Sequence, residues 1–491
     1  MATSHRTTNQ NGESLTPREM ARTGGLHDIG VYVLLAGAFL PIADFFIVNV
    51  ALPTIAVSLA ASPASLELVV TVYGVAYAAM LVLGGRLGDR FGRHVVFQAG
   101  LVGFVLASFA CGVSPNIETL VAARLVQGAT AALLVPQVLA ISHATLESHR
   151  KARALALYGA TSGIAAVIGQ LAGGLLASAD LWGMSWRPIF LINIPFGVIV
   201  FVLCRHVVPS SRSPHPVSID IPGTILFAAT LTCLLVPLTE GHSQGWPIWC
   251  WALFAAAIIF AAATIIVEYR VEARGLVPLL PPSLLKLPSM WRGLSMIGPF
   301  SVGFGAFMFV FALTIQHGLH ASPLESGLAI LPMAVLFFVG SVLSPRIINR
   351  FGRAALAVGG IVQAIGLAAL IVLLITRWPA VSLFDLALPL VFVGGGQSLL
   401  FSGLFRAVLA DVPAHLAGVG SGTLITIQQS GLALGVATLG TIYLAIEPVS
   451  VPHAFAAAVG IQLVIVIALV FATQVLPPFT KVQSQVHPAE I

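Results

Sequence analysis

The sequence predicts an all-α integral membrane protein: two six-helix bundles plus two inserted helices, 14 transmembrane helices with both termini cytoplasmic. Three observations predict it. The 491 residues are 58% hydrophobic and only 8% charged, at a mean hydropathy of +0.99, whereas soluble domains carry about 25% charged residues. Apolar stretches long enough to span a bilayer recur along the chain, with positive charge on alternate sides. The tetrapeptide Arg-Phe-Gly-Arg occurs twice, at Arg90–Arg93 and Arg350–Arg353, at the ends of two such stretches.

A span needs about 20 apolar residues. Apolar helices are expected at 29–55, 66–85, 95–113, 117–142, 154–178, 188–207, 220–239, 248–268, 294–316, 326–345, 355–376, 383–406, 417–445 and 454–475. Basic residues mark the cytoplasmic side. With the N-terminus inside, that side holds Arg6, Arg18, Arg22, Arg86, Arg90, Arg93, Arg150, Lys151, Arg153, Arg205, Arg212, Arg270, Arg274, Lys286, Arg292, Arg346, Arg350, Arg353 and Lys481. The outer loops hold Arg187 and Arg377. A span missed or invented early in the chain would destroy this asymmetry. Residues 1–27 are polar and unlike a cleaved signal peptide.

Around each Arg-Phe-Gly-Arg, five of nine aligned positions are identical between Gly85–Arg93 and Pro345–Arg353. Such internal repetition is how many transporters are built. The copies follow spans 2 and 10, eight apart, whereas two adjoining six-span halves would place them six apart. Two helices are therefore inserted between the halves. The expected organisation is a cytoplasmic tail 1–28, a six-helix bundle 29–207, a linker with two extra helices 208–293, a second six-helix bundle 294–475 and a tail 476–491. Pro281–Lys286 is expected to begin a short helix on the membrane surface. Cys111, Cys204, Cys233 and Cys250 form no metal or disulfide pattern.

Asp44 is the sharpest candidate for chemistry, because the other acids fall in tails, loops or near span ends. A carboxylate inside a bilayer is costly and readily takes up a proton, as a proton carrier must. Arg124 is the basic residue expected well inside a span. At about 1.5 Å per residue, Asp44 lies roughly 13 Å and Arg124 roughly 10 Å below the outer surface. They are expected to meet, with protonation loosening the pair and biasing the protein between two states; a fixed structural ion pair is the alternative. Arg90, Arg93, Arg350 and Arg353 suit helix C-termini. Gly85, Gly88 and Gly92 allow close helix approach, and Asp89 is expected to pair with an arginine across the halves as a gating latch. The second copy has Asn349 in place of Asp89 and is expected only to anchor topology. Gly159 and Gly163, and Gly169 and Gly173, make span 5 a close-packing face. Asn49, Gln127, Gln137, Gln170, Gln316, Gln363, Gln397, Gln428 and Gln429 each need an interior partner or a wet cavity. Among them Asn49, Gln137, Gln170, Gln397 and Gln428 are the candidates for lining a substrate cavity. His143, His317 and His320 are expected at the interface.

The stretch Gly85-x-Leu87-x-Asp89-Arg90-x-Gly92-Arg93 resembles the cytoplasmic signature of the major facilitator superfamily. Ala43-Asp44-Phe45-Phe46-Ile47-Val48-Asn49-Val50-Ala51-Leu52-Pro53 resembles the span-1 signature of its fourteen-span drug:proton antiporter branch. Arg124, Gln127, Gly128, Ala131 and Ala132 resemble that branch's arginine motif. Gly159, Gly163, Gly169, Gly173 and Gly174 resemble its glycine-rich antiporter motif. The likeness continues through Trp186-Arg187, Phe190, Asn193, Pro195, Asp220, Pro222-Gly223, Ser322-Pro323, Gly327, Pro332, Gly418 and Ser421-Gly422, over about residues 29–475. It implies a major facilitator fold and a secondary exporter of a drug, antibiotic or metabolite, driven by proton influx through alternating access, with Asp44 and Arg124 coupling protons. It further implies a monomer in a bacterial cytoplasmic (inner) membrane, whose partners are a small-molecule substrate, protons and lipid, with no nucleic acid, cofactor or metal. Two departures qualify it. Gly169-Gln170 replaces the motif's Gly-Pro, which predicts a straighter span 5 carrying an amide. Gln428 and Gln429 replace late acids, which points away from dicationic drugs. The alternatives are a symporter or facilitator of a metabolite, or a transporter-derived receptor, for which the tails are too short. No nucleophile, zinc or phosphate-loop motif supports an enzyme.

Overall fold

The computed structural model describes residues 26–146, 148–212, 220–241, 244–413 and 416–476. Both tails, most of residues 208–219, and the side chains of His143, Lys151 and Arg153 lie outside the described residues, as does the side-chain environment at Gly418. Among the described residues the chain is helical with no strand, and 14 helices are long and apolar enough to cross a membrane. They are α1 Asp28–Leu59, α2 Pro63–Phe91, α3 Arg93–Gly112, α4 Ile117–Ser142, α5 Leu157–Ala179, α6 Pro188–Val207, α7 Ile221–Glu240, α8 Ile248–Ala273, α9 Pro288–Gly318, α10 Pro323–Phe351, α11 Arg353–Arg377, α12 Leu383–Val408, α13 Val419–Ile446 and α14 Val451–Val475.

Local chemistry fixes many starts. Ser62 accepts from the Ser65 N–H ahead of Pro63, and Asn116 accepts from Thr119. Ser322 with Glu325 and Ser382 with Asp385 close capping boxes, each satisfying two orphan donors. The short surface helix forms at Pro282–Leu285. The helix through α5 runs unbroken from Ser148 to Ala179 with no internal proline.

The Arg-Phe-Gly-Arg copies are not loops, as the sequence suggested. Helix continues through Phe91 and resumes at Arg93, leaving Gly92 alone between them. Its φ of +104° is a conformation that glycine alone adopts without strain. The second copy also breaks at a single glycine of positive φ, Gly352 at +59°. Hydropathy windows could not see a one-residue break.

Helices α2, α5 and α9 carry the contacts between α1–α6 and α9–α14. α2 packs along α13 and α7, α5 along α1 and α10, and α7 against α8. The described hydrogen bonds between these groups gather away from the Arg-Phe-Gly-Arg ends. Gln316 donates to Val50 O at 2.9 Å, the Leu324 N–H to Ser178 Oγ at 3.0 Å, and Thr441 Oγ1 lies 3.0 Å from Glu67 Oε2. On the positive-inside rule this is the outer side. The protein is therefore closed toward the outside.

Candidate functional site

Asp44 and Arg124 do meet. Asp44 is 1% and Arg124 0% exposed, and Arg124 Nη1 donates to Asp44 Oδ2. The other carboxylate oxygen accepts from Gln127 Nε2 at 2.9 Å and Asn193 Nδ2 at 2.7 Å. Both amides also reach Ser108 Oγ, which donates to Phe190 O. Arg124 Nε donates to Val69 O at 3.1 Å, and its guanidinium lies 4.1 Å over the Tyr73 ring. Tyr73 in turn donates to Pro41 O. α1, α2, α3, α4 and α6 all contribute to one buried knot. Asp44 thus has a counter-ion and two amide donors, the arrangement that makes a buried charge tolerable. Gln127, Asn193 and Ser108 were not expected here; their polarity inside apolar spans was the available signal.

α5 holds the same segment of α1 from the other side. A Cβ at Gly169 would stand 2.5 Å from Ala43 O, and one at Gly173 2.5 Å from Ile47 O. The opposite flank of α5 meets α10. Gly163 faces Phe337, and a Cβ at Gly174 would stand 2.5 Å from Pro323 O. Gly159 has open space around it. Helix α5 therefore links the backbone beside Asp44 to the other half of the molecule.

Gln170 lies at the same junction, facing a narrow cleft lined by Gly163, Ala166, Phe304, Met308, Ile330, Met333, Ala334 and Phe337. Phe300, Phe304, Phe337, Phe401 and Phe405 form a continuous aromatic run beside it, and Phe46 of α1 joins at 5.6 Å. Asn49 and Gln397 are 1% exposed, and Gln428 is half-buried on α13. Gln137 is buried and donates to Gly84 O at 2.8 Å, bracing α4 against α2 beside Gly88.

At the cytoplasmic end, Asp89 does not pair across the halves. It accepts from Arg93 Nε at 3.0 Å and Nη2 at 2.7 Å, across the break at Gly92, and Arg93 also donates to Ala140 O. Arg90 lies over Phe91. Gly85 packs lightly on Pro136. In the second copy Asn349 accepts from Arg406 at 2.5 Å, and Arg353 donates to Gln474 O. Arg86 was missed. It is 5% exposed, donates to Pro278 O, and faces Asp220 and Glu268. Asp44 is also not alone among buried acids, since Glu67 and Glu268 are 1% and 3% exposed. His317 pairs with Glu447 at 3.0 Å.

Residues 34–436 match the model of the Major Facilitator Superfamily. The chain belongs to that superfamily. It is 34% identical over 412 residues to a probable actinorhodin transporter of Streptomyces coelicolor, covering 84% of this chain and 71% of that protein. It is 34% identical over 418 residues to a puromycin resistance protein of Streptomyces alboniger, covering 84% and 81%. A tetracenomycin C resistance and export protein of Streptomyces glaucescens is 30% identical over 410 residues, 83% and 74%. Among solved structures, a peptide transporter in complex with sulfate superposes with a TM-score of 0.65 at 15% identity, covering 94% of this chain and 100% of that one. The xylose transporter XylE from E. coli gives 0.60 at 13%, covering 90% and 98%. These structural likenesses show the fold alone. The chain is a multi-pass membrane transporter.

Proposed function

We propose that this protein exports a small organic compound, of the antibiotic or secondary-metabolite class, from a bacterial cell across the cytoplasmic membrane in exchange for protons. The observation that carries the reading is the sealed Asp44–Arg124 pair, sutured by Gln127 and Asn193 and gripped through Gly169 by the helix that touches α10. A proton on Asp44 removes the charge that Arg124 balances, which loosens the knot on α1. Because α5 is packed to α1 without intervening side chains, that loosening reaches the α5–α10 contact and favours one access state over the other. The Gln170 cleft, apolar with one amide, suits a neutral or weakly charged amphipath. The relatives' names supply the compound class. Asp89 with Arg93, Arg90, Gly85, Gly88 and Gly92 would act at the cytoplasmic gate. In this closed-outside state the carboxylate stays within its own half. Residues 29–207 and 294–475 would be the rocking halves, with 208–293 inserted and the tails at 1–28 and 476–491.

The test is reconstitution in liposomes under an imposed pH gradient, with a panel of antibiotics and a proton-flux readout. Proton-linked efflux should appear in the wild type and vanish in Asp44→Asn. Undiminished proton-driven flux in that variant refutes the reading and leaves a structural ion pair.

A further inference from the structure

Glu67 sits near the outer end of α2, where α2, α7 and α13 meet, and is 1% exposed. From α13, Thr441 Oγ1 lies 3.0 Å from Glu67 Oε2 and 3.3 Å from Oε1. From α7, the Glu240 carboxylate acts on it electrostatically. Among the described residues no cation forms an ion pair with Glu67. The contact is built with care. Thr441 follows a π-helical turn at Val436–Gly440, the kind of local rewinding often found at functional sites. Gly440 leaves room for the carboxylate, since a Cβ there would stand 3.3 Å from Oε1.

Counting protons decides the state of this cluster. Thr441 Oγ1 is also 3.0 Å from Leu238 O and 2.8 Å from Ala437 O. Two carbonyls and a carboxylate therefore surround one hydroxyl, which has one hydrogen to give. An ionised Glu67 would leave a buried carboxylate facing acceptors and another acid, with no counter-charge, a heavily penalised arrangement. With a proton on Glu67 the set balances. The carboxylic acid donates to Thr441 Oγ1, and Thr441 gives its one hydrogen to one of the two carbonyls.

We propose that Glu67 is a second proton-binding site, at the outer gate, and that its proton is taken up as this face closes. This rests on reading the chain as a carrier that alternates between outward-open and outward-closed states. When the face opens, α2 and α13 part, water reaches Glu67, and the proton leaves to the outside. External acid then favours closure. The site differs from the Asp44 knot in place and partner. It senses the gate rather than the ion pair.

The test uses the full-length protein in nanodiscs. Spin labels at Val57→Cys and Val449→Cys, both exposed positions at the outer ends, in a cysteine-free background, report the gate. The closed-to-open ratio should fall with rising pH, by up to about tenfold per pH unit for one proton bound on closing. Glu67→Gln, a neutral isostere, should stay closed and lose that tenfold of dependence; an unchanged slope overturns the proposal. Infrared spectra should show a buried carboxylic-acid band at neutral pH that is absent in Glu67→Gln. Should that variant not fold, Thr441→Val decides. It removes the acceptor of the proton, so the band must move and the gate must shift toward open; a stationary band overturns the proposal. Proton-linked flux in Asp44→Asn is read separately. Its persistence counts against the coupling role of Asp44, and an unchanged gate slope in Glu67→Gln counts against Glu67 alone.

Discussion

Gly169→Ala asks how tightly α5 grips the backbone beside Asp44. The added methyl would lie 2.5 Å from Ala43 O and 3.2 Å from Ala43 C and Cα. Ordinary contact begins near 3.4 Å, so α1 and α5 must part by about 0.9 Å at this point. The obstacle is backbone, which cannot rotate away. Overpacking of this kind costs about 1–3 kcal/mol, while alanine in place of glycine returns about 0.8–1 kcal/mol of helix propensity. Gly159→Ala carries the same propensity gain with nothing within 4 Å of its Cβ. The difference between the two variants therefore isolates the clash. Equilibrium unfolding in mixed micelles should place Gly169→Ala about 1–3 kcal/mol below Gly159→Ala. The displacement should also stretch the 2.7 and 2.9 Å bonds to Asp44 and lower proton-driven flux. Equal stability of the two variants would refute the claim that α5 clamps α1 by backbone contact.

Other outcomes follow from the same geometry. Arg124→Leu should cost about 3–5 kcal/mol, since it strands a buried carboxylate, and the double variant Asp44→Asn/Arg124→Leu should recover most of that; a double-variant unfolding cycle that is additive would count against the pair. Gly174→Ala should push α5 from Pro323 and raise labelling of an outer-gate cysteine, while the Asp44 knot stays intact; unaltered labelling would show the α5–α10 contact to be loose. Asp89→Asn should change stability by no more than about 1 kcal/mol, since its pair with Arg93 is only partly buried at the helix ends, so a large loss of transport in that variant would locate its role in gating, and a proportionate small loss would not.

Much of this was legible in the sequence, and the gaps have physical causes. Span number follows from hydropathy and charge asymmetry, which are bulk properties of long segments. The Asp44–Arg124 pair was found because two opposite charges at one depth in a low-dielectric bundle have few other partners. Glu67 was passed over because an acid near a span end reads as solvated; the neighbours that meet its carboxylate, Gly440 and Thr441, are remote in sequence. Asp89 was sent to the wrong partner because Arg93 begins the next helix and comes beside Asp89 through a one-residue break at Gly92, where the sequence suggested a longer loop. Arg86 looked like surface charge, and the Pro278 carbonyl that holds it comes from about 190 residues away.

The Arg86–Pro278 bond has one more implication. The Leu279 N–H is held by Asp220 and the Leu280 N–H by Glu268, while Glu272 holds the Ser283 N–H. The chain leaving the inserted helices is thus stapled down as far as Ser283, with its base fastened to α2. Pro288 already begins α9. Four residues, Leu284–Leu287, whose five Cα–Cα steps reach at most about 18 Å when fully extended, connect a segment fixed to the first half with the helix that leads the second. Any rocking motion must fit within that leash. Lengthening it would change how far the transporter opens while leaving every gate residue in place.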